Sequence, residues 1–238
     1  MKRLIKLHLR NIFHNKVFYV CTGISLLLTV VFVFVGSLIS KDSSTTTVLQ
    51  GAIGTINSGV DTLGMIFITI FCTFDFSEGT AKNIIARGYT KVQFLFSKYI
   101  ASLIGILAMD LILIIVQFIL YFKNGLGYEA SMPLQLFVGM FRIVAYTVLY
   151  GTVAFVLEKT SSAVIANLFA PNVLSLALVT ADTNLKVHMS KYWIDSVATK
   201  FVDKPIMANA GFPLVMYIIY IVLFVLIGIY FARGKDIK

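Results

Sequence analysis

Charge is what this chain has least of: only 13% of its 238 residues are Asp, Glu, Lys or Arg, while 58% are hydrophobic. A soluble domain carries about a quarter charged residues, so a water-exposed globule is excluded and a polytopic membrane protein is implied. Acids are scarcer than bases, 11 against 20, for a net charge of +9. No polar segment is long enough to fold alone and gather those bases into a nucleic-acid surface, so the excess is read as membrane topology. The two cysteines, Cys21 and Cys72, fall inside apolar runs. Their number and spacing suit neither a zinc site nor a disulfide framework, and small apolar side chains are the simplest reading. The three histidines, His8, His14 and His188, show no H-E-x-x-H pattern, and no G-x-x-x-x-G-K-[ST] phosphate loop exists. Gly23-Ile24-Ser25 faintly suggests a membrane serine hydrolase, but Ser25 and His188 are predicted near opposite membrane faces. No catalytic residue, bound metal or cofactor is therefore expected in this chain.

What is present is a series of apolar runs, at 17–39, about 56–75, 100–122, 134–157, 163–180 and 213–231. Each approaches or exceeds the length needed to cross roughly 30 Å of hydrocarbon, and together they predict an all-α membrane protein with six transmembrane helices in a single domain over 1–238. Before the first run, residues 1–16 hold Lys2, Arg3, Lys6, Arg10 and Lys16 and no acid. On a helical wheel Leu4, Ile5, Leu9, Ile12 and Phe13 gather opposite Arg3, Lys6 and Arg10, which predicts an interfacial amphipathic helix lying on anionic lipid. His8 and His14 belong to it and are accommodated among headgroups. The following run is about twice the core of a signal peptide and no A-x-A site follows it.

Pro171 falls within the fifth run, where it kinks a helix and frees a carbonyl. Residues 182–212 alternate Tyr192, Trp193, Ile194, Val197 and Phe201 with Lys and Asp, broken by Pro205 and Gly211. They read as short helices tucked into the membrane surface. Outside the runs, 13 basic residues fall at the amino terminus, between the second and third runs, near Glu158 and in the tail, against 6 in the alternate loops. The positive-inside rule then places both termini in the cytoplasm of a multi-pass protein, and the reading is a bacterial plasma membrane.

Residues 71–98 are too long and too patterned for a simple connector. Ser77 is an N-cap candidate, Glu78 adds negative charge to a first turn, Ile84 and Ile85 give an apolar stripe, and Arg87 with Gly88 closes a helix over 77–88. Thr90 caps the next helix, which carries Lys91 and Lys98. The order of an acidic residue (Asp75 or Glu78), Gly79, Thr80, Lys82, the Ile84-Ile85 pair, Arg87, Gly88, Thr90 and Lys98, set between a second and a third span, resembles the first cytoplasmic loop of ABC-2 type permeases. The likeness is to the antibiotic and bacteriocin-immunity branch, with Asp75 and Lys91 standing where such permeases often carry Glu and Arg.

That resemblance implies a cytoplasmic coupling helix between spans 2 and 3, with Asp75, Glu78, Lys82, Arg87 and Lys91 meeting an ATPase. It implies re-entrant helices between spans 5 and 6, two separate ATPase subunits that hold ATP and Mg, and a second permease chain, with membrane lipid around them and no nucleic acid. The expected function is export of an amphipathic peptide, bacteriocin or lipophilic antibiotic, which an apolar path suits. Alternatives are export of a lipid-linked polysaccharide or ion, or a non-transporting scaffold or sensor.

Three ionisable residues lie at membrane depth: Asp61, Asp110 and Arg142. Each costs about 2.5–3.5 kcal/mol at the centre of a span and should face protein or water. Pairing of Asp110 with Arg142 is expected, either as a structural tie or as a handle for substrate, with Asp61 shallower and solvated.

Overall fold

A segment in hydrocarbon satisfies its own backbone only as a helix, and 92% of the described residues are helical, with no strand among them. The computed structural model describes residues 1–39, 45–123, 132–186, 188–197 and 207–234. In order these form α1 (Lys2–His14), α2 (Lys16–Ile39), α3 (Thr45–Ser77), α4 (Thr80–Ala86), α5 (Lys91–Lys123), α6 (Met132–Leu157) and α7 (Thr160–Leu185). A single 3-10 turn, Ser190–Tyr192, precedes a helical turn at 194–197, and α8 (Met207–Gly234) closes the described chain. By length and composition α5, α6, α7 and α8 are each able to cross a membrane. Two bent pairs, α1 with α2 at 55° and α3 with α4 at 67°, raise the number of candidate spans to as many as six.

α3 and α5 run antiparallel through the centre. Phe67, Phe71 and Cys72 of α3 meet Ala101, Ile106 and Met109 of α5 in one buried cluster, which Ile12, Phe18 and Cys21 join from α1 and α2. A second cluster ties the element ends together: Leu4 of α1, Ala81 and Ile84 of α4, Phe94 and Leu95 of α5, Phe155 of α6 and Ala232 of α8 share it. Both ends of the described chain therefore lie at the same end of the bundle as α4. Close approach of α5, α6 and α8 is made possible by Gly228, where an added Cβ would sit 2.5 Å from the Tyr99 hydroxyl. That hydroxyl lies 2.6 Å from Thr152 Oγ1, which also donates to the Phe224 carbonyl at 3.2 Å, so one polar knot joins three helices.

Some expected boundaries hold and others move. α5 is one helix of 33 residues, about 50 Å long, and keeps the expected start after Thr90, with the third apolar run as its continuation. α8 starts at Met207 and runs unbroken through Gly211 and Pro213; Gly211 does not end a surface helix. α7 passes through Pro171 without a break. Proline removes the hydrogen bond to the carbonyl four residues back, that of Asn167, and at this level α7 is tied sideways instead. Asn167 Nδ2 donates to Thr69 Oγ1 at 2.8 Å and to the Tyr150 carbonyl at 3.2 Å. Of the surface segment expected over 182–212, residue 187 and residues 198–206 lie outside the described residues. Its described part is seated on the bundle, with Ile194 and Val197 buried against Val138, Tyr146 and Tyr217.

α1 is amphipathic as expected, and part of its apolar side is taken up by protein while Phe13 stays exposed. Leu4, His8 and Ile12 are buried on the ends of α3 and α5, and the basic Lys2, Arg3, Lys6 and Arg10 point away. Burying the stripe on protein satisfies the same hydrophobic drive and fixes the helix in place.

Because Cys21 and Cys72 are buried, single added cysteines report sidedness. Asn184→Cys, in the last turn of α7, is expected to react with an impermeant maleimide on intact cells, and Asn83→Cys, on α4, only after permeabilisation. The opposite pattern would invert the topology.

Candidate functional site

α4 is set off from α3 by one residue with a special backbone. Gly79 adopts φ 68°, in the left-handed region, which glycine enters without the Cβ clash that other residues meet. The turn therefore falls at Gly79, and the helix is Thr80–Ala86 rather than 77–88. Ser77 is not a cap: its hydroxyl donates back to the Phe74 carbonyl at 2.8 Å, and the Glu78 N–H to the same carbonyl at 3.0 Å, so both belong to the end of α3. Gly88, at φ 90°, ends the element. α5 then starts as expected from Thr90: the Gln93 N–H donates to Thr90 Oγ1 at 3.2 Å and the Thr90 N–H to Gln93 Oε1 at 3.1 Å, a reciprocal capping box.

On this short helix Ala81 and Ile84 face inward, while Glu78, Lys82, Asn83 and Arg87 are exposed and Lys91 is half-buried. Asp75, expected among the surface residues, is buried at 3% exposure. It receives Lys98 Nζ at 2.7 Å and the Thr80 hydroxyl at 2.8 Å. Lys98, equally buried, also donates to the Phe71 carbonyl at 2.8 Å and lies 4.1 Å from the centre of the Phe71 ring. One ion pair thus pins α3, α4 and α5 together directly beneath the exposed face.

His8 reaches the same cluster from α1. It is fully buried, with Nδ1 3.5 Å from Asp75 Oδ2 and its ring edge-on to Phe71 and Phe94. Burial, reinforced by the positive charge of Lys98 and opposed by Asp75, pushes its pKa down to about 4, so His8 packs as a neutral ring at neutral pH. Among headgroups it would have been solvated. The signal for its burial was its place at i+4 from Leu4 and i−4 from Ile12 on one stripe.

Between the α3–α4 turn and the α6–α7 turn lies an open groove of about 550 Å³, lined by Phe76, Gly79, Lys82, Lys159 and Thr160 among others. The α6–α7 turn is held tight by Glu158 at φ 58°.

Away from this end, a second polar cluster lies between α3, α5 and α6. Arg142 pairs with Asp61, Nη2 to Oδ2 at 2.8 Å, and not with Asp110. Asp61 and Arg142 approach from the adjacent α3 and α6, and Asp61 is therefore a paired residue rather than simply a solvated one. Asp110 Oδ2 is buried and has no hydrogen-bond partner. Asp195, which the sequence pattern did not single out, accepts the Tyr146 hydroxyl at 2.5 Å and ties the segment before α8 to α6.

Compared with protein-family models, curated proteins and solved structures, the chain matches none of them.

The Asp61–Arg142 tie has a direct test. Arg142→Leu leaves the Asp61 carboxylate without its partner and is expected to cost about 1 kcal/mol, since the two side chains are 24% and 37% exposed. The double change with Asp61→Leu should recover part of that loss, measured as Tm of the purified protein in detergent. Strictly additive losses would remove the tie.

Proposed function

We propose that the chain is the membrane subunit of an ATP-driven exporter of the ABC-2 type, working with two separate ATPase subunits and a second permease chain. The reading is supported by one observation above others: a short helix with a charged outer face is clamped from below by a buried ion pair to the ends of two long helices. A connector that only joined two spans would need no such clamp. Force applied to Glu78, Lys82 and Arg87 passes through Thr80, Asp75 and Lys98 into α3 and α5 without first bending a flexible loop. Asp75 is then a positioning residue rather than a contact.

In this mechanism ATP and Mg are held by the partner subunits, whose closure presses on α4 from the cytoplasm and tilts α3 against α5. The path opens between two permease chains in the cell membrane. α7 and α8 carry wide exposed apolar faces, including Phe169, Leu176, Ile218 and Leu226, which suit lipid, a second chain and an amphipathic cargo. An amphipathic peptide or a lipophilic antibiotic is the substrate class this surface accommodates best.

Charge reversal on the outer face separates this reading from a passive connector. Glu78→Lys with Arg87→Glu should leave membrane levels and Tm unchanged, because both side chains are exposed. Co-purification of an ATPase subunit and drug or bacteriocin protection should fall together, since each charge-assisted bond lost is worth roughly 1.5–3 kcal/mol. Unchanged association and unchanged protection would falsify the coupling role.

A further inference from the structure

Within the polar cluster between α3, α5 and α6 lies a small, partly open cavity of about 20 Å³ lined by Asp61, Gly64, Ile106, Asp110, Tyr146 and Thr147 among others. That volume admits one particle the size of a water molecule. Each neighbouring carboxylate already has a partner: Asp61 has Arg142, and Asp195 has the Tyr146 hydroxyl. Asp110 contributes a buried oxygen with none. Two carboxylates, Asp61 and Asp110, line the cavity and the one guanidinium beside them is paired with Asp61, so the formal charge of Asp110 is left without a balancing partner. An unpaired carboxylate at membrane depth is expensive, and a neutral water in the cavity would solvate it without balancing it.

We propose that this cavity is a binding site for one small monovalent cationic group, an alkali ion or a primary ammonium, held by the carboxylate of Asp110 with the hydroxyl-bearing wall of Tyr146 and Thr147 around it. Size and charge both select the occupant. A divalent ion has a single free carboxylate to meet it, since Asp61 and Asp195 are engaged. A quaternary ammonium exceeds the space. The guanidinium of Arg142 places its hydrogen bond on Asp61 at 2.8 Å, and Asp110 Oδ2 is left without one. The site is independent of the export reading: it requires neither an ATPase nor a second chain. Within an exporter it would let a substrate's ammonium group or a bound alkali ion settle between α3 and α5, the two helices that α4 moves.

The test uses the full-length chain purified in a nonionic detergent, with Tm measured at constant ionic strength in sodium, potassium or methylammonium chloride against tetramethylammonium or N-methylglucamine chloride. At a hundredfold excess over Kd, a site of this kind raises Tm by roughly 5–10 °C for a chain of this size. The rise should saturate, occur with the small cations only, and vanish in Asp110→Asn, whose Tm in the bulky salts should equal or exceed that of the unchanged protein. Response to the alkali ions but not to methylammonium assigns the site to an inorganic ion, and the reverse assigns it to a substrate amine. Asp110→Glu, which keeps the carboxylate one methylene further on, should retain the response with a shifted midpoint, and it carries the test if Asp110→Asn does not yield folded protein. Equal effects of small and bulky cations, an undiminished response in Asp110→Asn, or an unshifted midpoint in Asp110→Glu would overturn the site. So would stabilisation by acid alone with no cation response, which would put a proton on Asp110 instead.

Discussion

The ion pair between Lys98 and Asp75 is the contact on which the α4 end of the molecule depends. Both side chains are 3% exposed and 2.7 Å apart, in surroundings made of Phe71, Phe94 and the neutral ring of His8. In such a medium two charges are held far more strongly than in water, but only if each is fully engaged, since removing either partner strands the other. Here the engagement is nearly complete: Lys98 has a carboxylate, a carbonyl and an aromatic face, and Asp75 has an ammonium and a hydroxyl. Four helices supply these groups, so their relative positions are determined at once.

The consequence is a tightly packed end of the bundle. At the α4 end α1, α4, α5 and α8 share a packed cluster, and little can shift without unpacking Phe94 or Ile84. Further along, specific polar contacts join the helices: the Tyr99–Thr152 knot, the Asn167 bridge and the Asp61–Arg142 pair. Beyond Pro171 the side of α7 is largely exposed. A packed end that holds α3 and α5 together transmits displacement along both helices, which is the mechanical requirement of the proposed coupling.

Much of the fold was legible in the residues. Long apolar runs specify helices because hydrocarbon offers the backbone no other partner, and Thr90 with Gln93 specifies the start of α5 because those side chains satisfy two orphan donors. The turn at Gly88 was equally local. Ser77 misled because serine caps a helix only where the backbone leaves helical geometry, and Ser77 is still the last helical residue of α3. Gly79 allowed the break, and it could be placed only once the hydrogen bonds of Phe74 were known.

By itself the sequence determined that the chain is built of helices long and apolar enough to cross a membrane, where its main helices run, and that a short polar helix is inserted between two long ones, since all three follow from local hydrophobicity and capping. Tertiary structure alone decided which charges meet. A lone Asp or Arg in an apolar run announces that it needs a partner but not which one, because pairing depends on the rotation and axial offset of helices distant in the chain. That is why Asp61, 81 residues away, and not Asp110 holds Arg142, and why His8 and Asp75, which looked like surface residues on a wheel and in a motif, are buried together. Rotation about a helix axis is set by the whole packed interface, and no local pattern of residues contains it.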